Sequence, residues 1–250
     1  MYKPIELNHR SLGTWISTGN LLVLEAILEM NVYDWIAVDL EHSAFTEPEI
    51  LNIFATCQRF GIHAFARLHG HDPLQGRKML DIGATGLIIP VVNSGLELDE
   101  LCKHFFYPPK GKRGVCLSRI NKFGDSFDEY FQTFQPIIVP QIESAKAVNN
   151  ISEICKREYV KAVFLGPYDL SADLGTPGKF DSSAVVDALT KVKNEVLKTR
   201  VKLGMHVVQP DAEVLKKKFE EGYSFVAYGT DIILLKSALT SAKSLKGSLK

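Results

Sequence analysis

The chain has 250 residues, of which 46% are hydrophobic and 23% charged, a composition typical of a globular protein with a large core. Lys and Arg together number 29, as do Asp and Glu, so the formal net charge is zero. A neutral chain lacks the positive excess through which proteins bind nucleic acids and anionic membrane surfaces, and we expect neither as a partner.

The cysteines and the N-terminal segment predict a cytoplasmic protein. The four cysteines are far apart and none forms a CxxC pair, which argues against a disulfide framework or a structural zinc site and favours reduced thiols. The segment Met1–Glu6 lacks the pattern of a secretory signal. No stretch approaches the roughly 20 apolar residues of a membrane span.

Short apolar runs recur along the chain and alternate with segments of helical periodicity. The runs are Leu12–Ile16, Trp35–Leu40, His63–Leu68, Gly86–Val92, Ile137–Glu143, Ala162–Pro167, Lys202–Val207 and Phe225–Gly229. They are continuous rather than alternating, as expected for parallel strands covered on both faces. The predicted helices are Asn20–Glu29, Glu47–Arg59, Pro73–Asp81, Leu96–Phe106, Ala145–Cys155, Ser183–Thr199, Asp211–Glu221 and Ile232–Ser244, and Asp211 is positioned to cap its helix.

This order of elements is typical of a closed barrel or a doubly wound sheet. Eight strand–helix units without a break in composition favour the barrel, since about 250 residues is the usual length of a (β/α)8 TIM barrel. We therefore predict one α/β domain over residues 1–250. The segment from Tyr107 to Phe134 is longer than a normal connection, and long loops commonly carry function or subunit contacts.

Polar residues follow four of the predicted strands, at the end where TIM barrels carry their chemistry. They are Asp39, Glu41 and His42 after the second strand, Arg67 at the end of the third, Gln141 and Glu143 in the fifth, and Gly166, Pro167, Tyr168 and Asp169 after the sixth. We expect these groups to share one rim of the barrel.

Two carboxylates at this rim predict a metal site. Gln141 and Glu143 are two residues apart and would face the same side of a strand. Glu143 and Asp169 are separated by about one strand–helix unit, which would bring them to the tips of neighbouring strands. Two carboxylates with water in the remaining positions suit Mg²⁺ or Mn²⁺. The alternative for Asp169 is a helix cap, whereas a carboxylate within the apolar run around Glu143 needs a partner.

His42, Asp39 and Arg67 are the candidate catalytic residues. A carboxylate hydrogen-bonded to an imidazole fixes its tautomer and raises its basicity, which Asp39 would do for His42. Arg67 would donate to a substrate carboxylate or a developing enolate oxygen. The alternatives are a core or surface histidine and an arginine paired with a rim carboxylate. His69, His71, His206 and Trp15 are weaker candidates, with loop or core positions as the alternative.

Taken in order, these motifs resemble the HpcH/HpaI aldolase family. The resemblance is carried by Asp39–His42, Arg67, Leu80–Ala84, Tyr107–Gly114, Gln141–Ser144 and Gly166–Ser171 with Leu174-Gly175, and it extends from Gly13 to Asp231. The stretch Arg113–Gly124 is most similar to the ketodeoxyglucarate branch. No single motif is decisive, but their order and spacing are specific.

The resemblance implies a metal-dependent class II pyruvate aldolase on a barrel of the phosphoenolpyruvate/pyruvate type. It implies that Glu143 and Asp169 bind Mg²⁺, Mn²⁺ or Co²⁺. It implies that pyruvate is held by Arg67 and Gln141 against the backbone of Gly166, Pro167 and Tyr168. It further implies that His42 and Asp39 form an acid–base dyad that works through a bound water. It also implies a homo-oligomer, a hexamer in other members.

The expected reaction is the reversible cleavage of a 4-hydroxy-2-oxo acid to pyruvate and an aldehyde. No predicted strand carries a lysine in its middle, since Lys161 and Lys202 lie at amino-terminal ends, so metal activation is preferred to a lysine Schiff base. The alternatives are a CoA-thioester lyase of the malyl or citramalyl type and a catalytically silent metabolite-binding barrel. Departures from the family pattern at Leu68–Pro73, Lys112 and Tyr168 leave the aldehyde open.

Overall fold

Eight parallel strands close into a barrel in the computed structural model, which describes residues 10–240 together with residues 7, 242, 243 and 246. The strands are β1 (Ser11–Ile16), β2 (Trp35–Asp39), β3 (His63–Arg67), β4 (Gly86–Ile89), β5 (Ile137–Ile142), β6 (Ala162–Leu165), β7 (Lys202–Val207) and β8 (Phe225–Thr230). Each strand pairs with its neighbours in sequence, and β1 also pairs with β8. The predicted (β/α)8 barrel is confirmed, and every predicted run corresponds to a strand.

Helices follow the strands and cover the outside of the barrel. They are α1 (Leu21–Glu29), α2 (Glu47–Arg59), α3 (Pro73–Ile82), α4 (Gly95–Cys102), α5 (Phe127–Thr133), α6 (Ala145–Cys155), α7 (Pro167–Asp173), α8 (Ser183–Val196), α9 (Ala212–Glu220) and α10 (Asp231–Ala238). Asp211 caps α9, as predicted, by accepting the backbone N–H groups of Glu213 and Val214. The predicted end of the last helix, Ser244, lies outside the described residues.

Aromatic side chains fill the interior of the barrel. Trp35 stacks on Phe225 with ring centroids 4.3 Å apart, and Phe65 meets both rings edge to face. A Cβ at Gly13 would lie 2.0 Å from the Trp35 ring, so β1 needs a residue without a side chain at this position. A second and larger apolar cluster lies between the strands and the helices. Chemistry is therefore confined to the ends of the barrel.

The predicted long loop contains structure of its own. A short 3₁₀ segment, Arg119–Gly124, and α5 both lie between Tyr107 and Phe134. Tyr130 of α5 stacks on Phe134 with ring centroids 4.7 Å apart. These aromatic residues recur at helical spacing, which explains why a segment interpreted as a loop forms a helix.

The four cysteines are free thiols, with Cys57, Cys102 and Cys155 buried and Cys116 partly exposed. Burial raises the pKa of the Cys57 thiol to about 12, so it is held as a neutral group within the core. Within the described part of the chain, no helix combines the length and the apolar character that crossing a membrane requires.

Candidate active site

Asp39 and Arg67 form an ion pair at the carboxyl ends of β2 and β3. The strand register places these two residues side by side. The Arg67 Nε–H donates to Asp39 Oδ1 at 2.9 Å, and Arg67 Nη2 lies 2.6 Å from Oδ2. The guanidinium carbon also lies 4.7 Å from the centre of the Trp15 ring. This bidentate geometry holds the guanidinium at the mouth of the barrel.

The His42 side chain does not make the contact predicted for it. Asp39 Oδ1 accepts the backbone N–H groups of Glu41 and His42, at 3.1 and 3.2 Å, and its carboxylate is paired with Arg67. The His42 imidazole lies instead 3.6 Å from the Glu41 carboxylate, and its side chain is 66% exposed. The predicted hydrogen bond, in which the imidazole would donate to Asp39, is replaced because the neighbouring guanidinium offers two parallel donors.

Glu41 contacts both Arg67 and His42, although the sequence pattern predicted only its place at the rim and no role for it. Its carboxylate lies 3.2 Å from Arg67 Nη1 and 3.6 Å from His42. Burial raises the pKa of this carboxyl, and the charges of Asp39 and Asp169 add to the rise. Glu41 lies in the turn directly after β2, so its position beside Arg67 depends on the turn and not on the alternation of side chains along a strand.

Glu143 and Gln141 lie beside each other on the inner face at the end of β5, as predicted. Gln141 Nε2 donates to Glu143 Oε2 at 2.7 Å, and the backbone N–H of Val91 donates to Glu143 Oε1 at 2.6 Å. Burial raises the pKa of the Glu143 carboxyl, the two hydrogen bonds oppose the rise, and the charges of Asp169 and Glu41 add to it. The partner required for a buried carboxylate is thus present.

Gly166, Pro167, Tyr168 and Asp169 lie at the start of α7, directly after β6. Gly166 is the N-cap residue, which excludes the cap interpretation for Asp169 in the first turn. A Cβ at Gly166 would lie 2.6 Å from Glu143 Oε2, so this backbone lies directly against the carboxylate. Asp169 is exposed, and Tyr168 points outward and meets the Phe180 ring at a centroid distance of 4.8 Å.

A sequence model described as HpcH/HpaI aldolase/citrate lyase matches residues 12–238 of the chain. The chain belongs to this family. Membership confirms the predicted enzyme class, an aldolase acting as a carbon–carbon lyase, and at the level of the family the predicted cleavage of a 4-hydroxy-2-oxo acid.

Relatives of known activity align with most of the chain. The chain is 31% identical to a hydroxypyruvate/pyruvate aldolase of Delftia acidovorans, and the alignment covers 90% of this chain and 84% of the relative. It is 32% identical to a 4-hydroxy-2-oxovalerate aldolase of Novosphingobium aromaticivorans over 88% of this chain and 84% of the relative. The crystal structure of an HpcH/HpaI aldolase from Desulfitobacterium hafniense superimposes with a TM-score of 0.86 at 30% identity, covering 95% of this chain and 92% of that one.

Aldolases of this family generally depend on a divalent metal ion, and the residues at this rim fit one. Burial raises the pKa values of the Glu41 and Glu143 carboxyls, and the charge of Asp169 adds to the rise in both. A cation between these carboxylates would relieve the repulsion. Gln141 Oε1 is buried and has no hydrogen-bond partner. No cluster of three or more His, Cys, Asp or Glu side chains is poised to hold a metal among the described residues, so the predicted pair of carboxylates would need oxygen ligands from water or substrate.

The remaining candidates from the sequence lie in different surroundings. His206 is buried at the end of β7, where its Nε2 lies 2.8 Å from the Gly229 carbonyl oxygen, and burial lowers its pKa to about 4. Its ring centroid is 6.1 Å from that of Trp15. His206 and Trp15 therefore form part of the wall beside Arg67. His69 and His71 lie in the β3–α3 loop and do not converge on the rim carboxylates.

Proposed function

We propose that the protein cleaves 4-hydroxy-2-oxo acids of the 2-keto-3-deoxy sugar acid type to pyruvate and an aldehyde, and that the reaction is reversible. The observation that supports this proposal best is the convergence of Glu143, Asp169 and Arg67 at one end of the barrel. A buried carboxylate held by two hydrogen bonds, a second carboxylate and a fixed guanidinium are groups that suit a substrate with adjacent carboxylate and keto oxygens.

We propose that Glu143 and Asp169 hold the divalent ion, which is Mg²⁺, Mn²⁺ or Co²⁺. When bound, such an ion supplies Lewis-acid stabilisation to the enolate of pyruvate. Gln141 orients Glu143 through its amide N–H, and its unpaired Oε1 is available to a bound water or a substrate hydroxyl. The backbone of Gly166 lies so close to Glu143 that a side chain at position 166 would clash with Oε2.

Arg67 places a positive charge beside the oxygen on which negative charge develops. Its position is fixed by Asp39 and by the face of Trp15, so little reorganisation is needed when the charge appears. Asp39 belongs to β2 and Trp15 to β1, so both of these contacts come from the barrel strands. We therefore assign Asp39 to the orientation of Arg67, in addition to the role beside His42 that the family resemblance implies.

His42 is the proposed base. In the cleavage direction it takes the proton of the 4-hydroxyl group, directly or through water, as the C3–C4 bond breaks. The electron pair of that bond passes to the keto group to give the enolate, and C4 leaves as the aldehyde carbonyl. Protonation of C3 then gives the methyl group of pyruvate. Glu41, with its carboxylate 3.6 Å from the His42 ring, is placed to orient the imidazole.

The test is pyruvate release from a panel of 4-hydroxy-2-oxo acids after EDTA treatment, with Mg²⁺, Mn²⁺ or Co²⁺ restored one at a time. We expect release only with metal, and the best substrate names the aldehyde. His42→Ala should abolish turnover and leave Mn²⁺ binding unchanged, whereas Glu143→Gln should lose both. His69→Ala is the matched control. Absence of release with every metal and substrate from folded protein would refute the proposal, and activity only with CoA thioesters would assign the lyase alternative.

We also propose that the chain forms a homo-oligomer, with a hexamer as the expected state. Apolar side chains of the loop before α5 support this, since Leu117 is 66% exposed and Phe123 is 74% exposed, which is unfavourable in a monomer. Light scattering of the purified protein measures the assembly directly, and a monomer at micromolar concentration would contradict it. The free cysteines are consistent with the cytoplasmic location that we propose.

A further inference from the structure

The loop between β4 and α4 contains a residue in an unfavourable backbone conformation next to the active site. Val91 has a φ of +52°, in the left-handed region that a β-branched residue rarely adopts. Its side chain is 51% exposed, so packing of that side chain does not account for the conformation. Contacts of the neighbouring backbone must hold Val91 in place.

One peptide group of this loop is held at both of its polar ends. The carbonyl oxygen of Pro90 lies 2.8 Å from Nε2 of His71. On the other side of the same peptide bond, the N–H of Val91 donates to Glu143 Oε1 at 2.6 Å. Rotation of the peptide plane would break both contacts, so its orientation connects the His71 ring to the Glu143 carboxylate.

Glu97 in turn fixes the ring of His71. Nδ1 of His71 lies 3.1 Å from Glu97 Oε1, and Glu97 Oε2 accepts the backbone N–H of Asn93 at 2.9 Å. Both ring nitrogens thus face hydrogen-bond acceptors. His71 therefore bridges the β3–α3 loop to the β4–α4 loop through its two ring nitrogens.

We propose that His71 is a positioning residue of the active site: through the Pro90–Val91 peptide it holds the Glu143 carboxylate in the orientation that binds the divalent ion. The inference rests on the proposed role of Glu143 as a metal ligand. Groups that orient a metal ligand typically change metal affinity by about 10- to 100-fold when they are removed. His71 lies in Leu68–Pro73, the segment where this sequence departs from the pattern of the family that it resembles.

Direct binding of Mn²⁺ to the full-length protein, followed by the electron paramagnetic resonance of the unbound ion, tests this without substrate. We expect His71→Ala to weaken binding by about tenfold. His71→Gln should retain most of the affinity, because the Gln amide nitrogen reaches the position of the imidazole Nε2. His71→Asn should not, since its shorter side chain places a donor only near Glu97.

His69→Ala is the matched control for a histidine of the same loop. The His69 side chain is 53% exposed, and its Nε2 lies 3.9 Å from Asp72 Oδ2. Its Mn²⁺ affinity should equal that of the wild type. Thermal unfolding of every variant shows whether a change in binding reflects loss of the fold.

A second substitution separates positioning from general stabilisation of the loop. Without a Cβ, residue 91 adopts a positive φ at little cost, so the peptide no longer needs His71 to hold it. Val91→Gly should therefore restore much of the Mn²⁺ affinity that His71→Ala removes, when the two changes are combined. A role of His71 in packing alone would not be relieved in this way.

Several results would overturn the inference while leaving the proposed function intact. They are wild-type Mn²⁺ affinity in His71→Ala, equal weakening in His71→Gln and His71→Asn, and no recovery in the double variant. Failure of the proposed function looks different, because then the wild-type protein itself neither binds Mn²⁺ nor releases pyruvate. Should His71→Ala fail to fold, the comparison of His71→Gln with His71→Asn decides the question.

Discussion

Replacing Gly166 by alanine is the sharpest test of the site, because the change adds one methyl group against the proposed metal ligand. The backbone of Gly166 has φ −106° and ψ 78°, negative in φ, so alanine introduces no left-handed strain. Its Cβ would lie 2.6 Å from Glu143 Oε2 and 2.9 Å from Glu143 Cβ. The carboxylate oxygen must then move by about 0.8 Å, the difference from an ordinary contact of 3.4 Å.

That movement disturbs the bond from Gln141 at 2.7 Å or the bond from Val91 at 2.6 Å. Hydrogen bonds to a charged group contribute about 1.5–3 kcal/mol each. A misplacement of about 1 Å in a reacting centre can lower the rate by about 100-fold. We therefore expect Gly166→Ala to lower kcat/KM for pyruvate release by about 30- to 100-fold and to weaken Mn²⁺ binding, without unfolding the barrel.

Gly70→Ala is the control for this experiment. Gly70 lies in the loop after β3, and a Cβ there meets no atom within 4 Å. Its kcat/KM and Mn²⁺ affinity should match those of the wild type, and circular dichroism should show that both variants are folded. Wild-type kinetics in Gly166→Ala would refute the reasoning, because the Glu143 carboxylate could then not be required in the orientation seen here.

Two further predictions concern the wall of the site. Arg67→Lys should lower kcat/KM by about 100-fold, since lysine cannot replace the bidentate contact with Asp39. Arg59→Lys is the control and should have no effect, because the Arg59 side chain is 70% exposed. Equal rates in the two variants would contradict the role of Arg67. Burial lowers the pKa of His206 from 6.5 to about 4. As the pH falls, the unfolded chain therefore takes up a proton at His206 before the folded protein does. The folded protein is fully stable in this respect above pH 6.5 and loses stability as the pH falls towards 4. The loss in the free energy of unfolding amounts to about 3 kcal/mol over this range. The free energy of unfolding by denaturant should differ less between pH 7 and pH 5 in His206→Gln, which keeps a donor for the Gly229 carbonyl, than in the wild type. An unchanged difference would exclude this contribution of His206.

The strands were predictable because their signal is local and redundant. Each of the eight runs is apolar on both faces, as a parallel strand between a packed interior and a layer of helices requires. The spacing of the runs then implied the closed barrel. Helix ends were less certain: α4 ends at Cys102 and α8 at Val196, each a few residues before the predicted end. Helix ends depend on capping contacts that periodicity does not record.

The sequence by itself also determined which side chains lie at this rim of the barrel, because parallel strands bring their carboxyl ends to one side. Gln141 and Glu143 meet as their two-residue spacing predicts. The choice of partners was decided only by the tertiary structure. Asp39 has Arg67 beside it across the β2–β3 register, and this contact displaces the predicted one with the His42 ring.

The backbone contribution to the site had no sequence signal at all. Val91 supplies an N–H group that every residue except proline possesses, and it does so from a conformation that its side chain disfavours. The carbonyl oxygen of the preceding residue, Pro90, lies 2.8 Å from Nε2 of His71, which belongs to another loop. Contacts of this kind depend on the packing of neighbouring loops in space, and only the folded barrel brings the two loops within hydrogen-bonding distance.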